Sequence, residues 1–173
     1  MTRPMTQVFL CAGAQEAQMA GSVERVEAAA RAAGLDVKIE RMPESTRTAA
    51  EAAAACGCGV AQIVKSMIFE GVESGDLKLI LVSGAHDLDL DRARGLFGED
   101  LKRADAKRIR AETGFAIGGV APIGHLSPIA TWMDATLLTH DSVRAAAGAP
   151  NALFEIGPQT LRETTGAVLF DPN

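Results

Sequence analysis

Apolar positions recur along this chain in two rhythms, and the rhythms alternate. Val23, Val26 and Ala30 repeat at helical spacing, so a helix is predicted over Gly21–Ala33, with Gly34 as its stop. Val37 and Ile39 share one side of a predicted strand over Asp36–Met42. Thr48 and Glu51 stand three apart ahead of an alanine run, which is the spacing of a capping box. That predicts a helix over Ala49–Cys56 ending at Gly57. Ala61–Glu70 and Leu77–Ser83 are β-branched and aliphatic runs joined by a turn opening at Asp76, and they read as a hairpin. A short helix is predicted over Asp91–Phe97 and a short strand over Leu101–Ala104. Asp105 caps a helix through Thr113, closed by Gly114. Three strands follow, over Ile129–Met133, Val143–Ala147 and Leu153–Ile156. Pro158 opens a helix through about Thr165, and Ala167–Phe170 is a last strand. Strands and helices are mixed and at least one connection is a hairpin. The expected class is therefore α+β with a mixed sheet rather than a doubly wound parallel sheet.

One strand breaks its own pattern. Ile63, Lys65, Met67 and Phe69 alternate onto one side, so an ammonium group shares a face with three apolar side chains. A lysine takes that position when an anion or a carbonyl-lined cleft receives it, or when its stem snorkels to water. Ser66 points the other way and is expected to be structural. Farther on stands a loop poor in side chains, Gly118-Gly119-Val120-Ala121-Pro122-Ile123-Gly124-His125. Glycine lets a backbone approach a ligand closely, and proline stiffens the loop.

Composition narrows the picture. The 173 residues suit one domain with a sizeable core, taken as residues 21–173 after a variable extension over residues 1–20. No apolar run reaches membrane-spanning length, so no membrane partner is expected. Three cysteines, Cys11, Cys56 and Cys58, form no zinc-spaced cluster, and reduced thiols in the cytoplasm are their simplest account. No cofactor or metal is expected. The net charge of −5 argues against indiscriminate nucleic-acid binding, and no DNA partner is expected. Yet between Asp91 and Arg110 seven basic residues (Arg92, Arg94, Lys102, Arg103, Lys107, Arg108 and Arg110) face four acids. That segment is either a solvated helix face or a docking patch for a polyanion. His86, His125 and His140 stand apart without an evident partner, and no serine sits in a nucleophile elbow.

Three stretches occur in order: Thr46-Arg47-Thr48-Ala49-Ala50-Glu51-Ala52-Ala53, then Ala61-Gln62-Ile63-Val64-Lys65-Ser66, then Gly118-Gly119-Val120-Ala121-Pro122-Ile123-Gly124. Together they resemble the YbaK family of aminoacyl-tRNA deacylases, relatives of the editing domain inserted in bacterial prolyl-tRNA synthetase. The resemblance covers about residues 21–171. It implies a compact mixed sheet, partly closed and flanked by helices. It also implies metal-independent hydrolysis of the ester joining a wrong, small amino acid to the terminal adenosine of a tRNA, assisted by the ribose 2′-OH. The implied partners are the acceptor end of an aminoacyl-tRNA and an aminoacyl-tRNA synthetase. The family's lysine falls on Lys65 and its G-x-x-x-P loop on Gly118 and Pro122. Lys65 and Gly118 are thereby the expected catalytic positions. Gly119, Pro122, His125, Met67, Phe69, Ala147, Gly148 and Asn151 are the expected substrate-binding positions. A Ser-Gly-Gly segment of relatives is replaced here by Ala146-Ala147-Gly148, followed by Ala149-Pro150-Asn151. The competing expectations are a non-catalytic module that binds the acceptor end or a synthetase, and an esterase acting on small esters.

Overall fold

The structure is a computed structural model and describes residues 21–44 and 46–173. The extension expected over residues 1–20, with Cys11, lies outside the described residues.

Helix α1 spans Ser22–Ala32 and strand β1 spans Ile39–Arg41. Helix α2 covers Ala49–Cys56, followed by β2 over Ile63–Gly71 and β3 over Leu77–Ser83. Then come α3 (Ala93–Phe97), β4 (Leu101–Arg103), α4 (Ala106–Thr113) and β5 (Ala130–Asp134). The chain ends with β6 (Val143–Ala146), β7 (Ala152–Ile156), α5 (Pro158–Thr165) and β8 (Val168–Phe170). Short 3₁₀ turns occupy Val60–Gln62, Leu90–Arg92 and Ala135–Thr139. The expected helix over Asp91–Phe97 is thus a 3₁₀ turn that passes into α3. The strand expected over Asp36–Met42 is paired only at Ile39–Arg41, where β7 supplies a partner.

The elements begin and end where local chemistry dictates. The Thr48 hydroxyl accepts the Glu51 N–H, and the Glu51 carboxylate accepts the Thr48 N–H, each at 3.1 Å. Gly57 then closes α2 in the left-handed region. Asp105 accepts the N–H groups of Lys107 and Arg108 to start α4. The hairpin of β2 and β3 pairs Val64 with Ser83 through Glu70 with Leu77.

The sheet is mixed and open, in the order β1-β7-β6-β2-β3-β5-β8, with β4 added beside β2. Strands β2/β6, β3/β5 and β5/β8 run parallel, and the other pairs are antiparallel. Strand β3 is central and buried along its whole length, which accounts for its continuous apolar run. The larger core lies on one face, where α1, α4 and α5 pack Val26, Ile109 and Leu161 against Val64, Leu79 and Leu81. The other face carries two separate apolar clusters. One joins α2 to Ile63 and Leu153. The other joins α3 to Phe69, Ile80 and Val82. Strand β2 runs from the first of these clusters to the second.

Candidate active site

Lys65 stands on β2 between those two clusters, where neither α2 nor α3 covers it. Its side chain is one-quarter exposed. The ammonium donates to the backbone carbonyl of His86 and lies 3.3 Å from the exposed carboxylate of Asp87. The apolar company predicted for Lys65 is real, and the lysine escapes it by reaching a carbonyl and an acid just beyond the end of β3.

His86 is itself held from beneath. Its Nδ1 lies 2.8 Å from Oδ2 of Asp134, which is fully buried at the end of β5. An ionised carboxylate only accepts, so Nδ1 is the donor. Asp134 also accepts from the Ser83 N–H and from the N–H and hydroxyl of Thr136. Burial alone would raise its pKa; the bonds from Thr136, His86 and Ser83 outweigh burial and hold it below the ordinary aspartate value. His86, expected to stand alone, therefore has a partner 48 residues away. No local spacing announces that pair, because parallel pairing of β3 with β5 creates it.

Two adjoining clefts open where β2 loses its neighbour. Pairing of β2 with β6 stops at Val64, and pairing with β4 starts at Phe69. Between them the outer edge of Lys65–Ile68 has no strand beside it among the described residues. The glycine loop lies over this interruption. The first cleft, of about 250 Å³, is lined by Lys65, Met67 and Gly118 together with Thr46, Arg47, Ala49, Ala52 and Ala146. The second, of about 260 Å³, is lined by Met67, Phe69, Arg103, Ile117 and Gly118 among others. Ser66, Met67, Gly118 and Val120 belong to both. Ser66, expected to be structural, lies at the boundary, and its buried hydroxyl has no hydrogen-bond partner among the described residues.

The loop bends at Gly118, whose φ is +94°, and not at Gly119 as the double glycine allowed. A Cβ at Gly118 would point into open space. Gly119 serves a different need: a Cβ there would stand 2.9 Å from the Ala149 backbone. Its N–H is committed to Ala116 O at 3.0 Å. The N–H groups of Gly118 and Val120 find no acceptor among the described residues, and both residues line the cleft.

The remaining expected positions lie elsewhere. Pro122 and His125 line a separate depression beside α1 and the end of α5. His125 points inward: Nε2 lies 2.7 Å from Ala121 O, and the ring meets Phe115 edge-on. Burial lowers its pKa against the opposing effect of that carbonyl, so it is neutral at pH 7. Ala147 is fully buried and donates to Ala152 O. Gly148 takes φ +92° where a Cβ would meet Ser22 O at 2.5 Å. Asn151 bonds Met42 through its side chain at 3.2 Å. These three build the β6–β7 turn. The turn's Ala149 and Pro150 in turn brace Gly119 and Thr46, the latter through two bonds of 2.8 Å to Pro150 O.

A cation, a bent glycine loop and a cleft at an interrupted strand edge are now in place, and known proteins share their setting. The profile of the family described as "Aminoacyl-tRNA editing domain" matches residues 43–164, which contain both clefts. This chain belongs to that family. Editing domains of this kind act on aminoacyl-tRNA. The uncharacterized protein YwhH of Bacillus subtilis (strain 168) is 30% identical over 119 residues, covering 69% of this chain and 75% of that protein. A crystal structure described as a candidate trans-editing enzyme for prolyl-tRNA synthetase is 45% identical, with a TM-score of 0.82 over 88% of this chain and 97% of the other. The hypothetical protein APE2540 is 34% identical, with a TM-score of 0.77 over 85% and 97% of the two chains. The mixed sheet flanked by helices is the fold of these two solved structures.

Proposed function

We propose that this protein is a trans-editing hydrolase. It cleaves the ester of a mischarged aminoacyl-tRNA that carries a small amino acid and has left its synthetase, in the cytoplasm where tRNA is charged. The observation that carries this reading is the convergence of Lys65, Arg47 and the bent Gly118 loop on one cleft of about 250 Å³. The acceptor end of the tRNA is the expected ligand. Ala49, Ala52 and Ala146 keep the cleft walls short, which suits a small side chain.

An aminoacyl ester is already activated, so positioning and charge stabilisation are sufficient for its hydrolysis. In the proposed reaction a water oxygen attacks the ester carbonyl carbon. The ribose 2′-OH of the terminal adenosine orients that water. The carbonyl oxygen, as it gains charge, meets the free N–H groups of Gly118 and Val120. Lys65 exchanges Asp87 for a phosphate or another electronegative group of the substrate. The carbon–oxygen bond to the ribose breaks, the ribose oxygen takes the proton, and a free amino acid and an intact tRNA leave.

The test is deacylation of a panel of aminoacyl-tRNAs by the wild type and by Lys65→Ala. Catalytic loss of some small esters is expected, slowed about 10- to 100-fold in the variant, the usual range for losing one charge-assisted contact. Survival of every ester with wild-type protein that still binds tRNA would instead identify a non-catalytic acceptor-end or synthetase-binding module. Equal cleavage of free amino-acid esters, without salt dependence, would identify a small-molecule esterase.

A further inference from the structure

The second cleft has no task in the chemistry above, yet it opens onto the same reaction site. We propose that it is a subsite for the nucleotide preceding the terminal adenosine, with Arg103 on the phosphate and Ile117 against the base. This rests on the tRNA-editing reading.

Two observations point to that occupant. The first is charge. Of the basic residues in the positive segment, Arg94 pairs with Glu73 and Asp100, Lys102 with Glu70, and Arg108 with Glu70 and Glu112. Arg103 has no ion pair among the described residues, and it is the basic residue of that segment that lines the cleft. The second is an apolar surface beside it. Ile117 is the most exposed large apolar residue described, at 65%, and it stands at the mouth of the cleft in the loop that carries Gly118. A nucleobase presents a flat apolar face and carries a phosphate a fixed distance away, so it matches an apolar wall beside a cation. Gly118 borders both clefts, so with the ester carbonyl at Gly118 and the terminal adenosine against the first cleft, the second cleft is left for the preceding nucleotide.

The experiment compares the wild type, Arg103→Gln, Ile117→Ser and the ion-paired control Arg94→Gln on two substrates. One is charged tRNA; the other is aminoacyl-adenosine carrying its 5′-phosphate, which keeps the terminal phosphate but has no preceding nucleotide. Equal thermal stability of the variants establishes that they fold. Arg103→Gln should lower kcat/KM on tRNA about 10- to 100-fold, as expected for a lost charge-assisted contact. Its loss on aminoacyl-adenosine should be at least tenfold smaller, and Arg94→Gln should match the wild type. Binding of uncharged tRNA should lose about 0.7 from the slope of log affinity against log salt in Arg103→Gln, one single-strand phosphate contact. Equal losses on both substrates would overturn the proposal and assign the cleft to the acyl group or the terminal adenosine. No loss on either would overturn it outright. If the wild type cleaves neither substrate but Arg103→Gln still changes the salt slope, the subsite stands and the hydrolase reading falls.

Discussion

Lys65 is a charge that the strand cannot bury, and its surroundings show how it is kept usable. One acceptor is a backbone carbonyl, fixed because His86 is pinned by buried Asp134. The other is Asp87, fully exposed and easily displaced. A substrate anion can therefore replace Asp87 while His86 still holds the stem in place. Gly118 is the second demanding residue. Its positive φ costs a residue with a side chain about 1–2 kcal/mol, although the space around it is open. Gly118→Ala should therefore remain folded, with a slightly lower Tm, and lose deacylation because the loop relaxes away from the carbonyl. Thermal melting and single-turnover hydrolysis would separate the two effects. A large Tm drop with an unchanged chemical rate would show the bend to be purely structural.

At the scale of elements, α2 forms one wall of the first cleft and is a short alanine helix with weak means of staying put. The capping box of Thr48 and Glu51 starts it, and contact of Ala52 and Ala53 with Ile63 and Leu153 holds it down. Thr48→Ala should cost about 1 kcal/mol, the usual loss on removing an N-cap hydroxyl. Because Thr48 also borders the cleft, KM for aminoacyl-tRNA should rise more than kcat falls. Denaturant titration and steady-state kinetics measure both, and an unchanged midpoint would show that packing alone sets the helix start. The elements themselves were largely legible in the sequence. The capping box, the Asp105 cap, the Gly57 and Gly114 stops and the turn of the hairpin all rest on contacts within a few residues. The site was legible only in part. Lys65 and Gly118 stand out by local oddity, since one is a charge on an apolar face and the other a glycine in a stiff loop. Arg47, Ala146 and the open edge at Ser66 carry no such mark, because each joins the cleft only through pairing with distant strands.

Across the whole molecule, buried ionic groups tie the segments that flank the site. Glu99 lies just before β4, yet its carboxylate accepts the N–H groups of Glu73 and Ser74 and the Ser74 hydroxyl in the β2–β3 turn. It also pairs with Lys78 on β3 at 2.8 Å. Gly71 makes room for it, since a Cβ there would stand 2.4 Å from the carboxylate. The bonds from Lys78 and Ser74 outweigh burial and hold the Glu99 pKa at about 2. A carboxylate depressed on folding stabilises above its unfolded pKa of about 4.3 and loses that contribution as pH falls toward 2. Glu99→Gln should therefore lower Tm at pH 7, and its deficit against the wild type should shrink as the pH falls from about 4 to about 2. A deficit constant across that range in thermal melts would mean that the carboxylate charge contributes nothing.

What the sequence by itself determined is whatever short-range physics specifies: periodicity sets each element, caps set its ends, and alternation puts Lys65 on the same face as Ile63, Met67 and Phe69. Only the tertiary structure decided which of the loop's neighbours meet that lysine. Strand order separates β6 from β4 along β2 and so creates the clefts. Parallel pairing of β3 and β5 brings Asp134 to His86. The β6–β7 turn turns Ala147, Gly148 and Asn151 into braces rather than walls. Pairing between strands far apart in sequence depends on summed burial over the whole core, and no local pattern of residues encodes that sum.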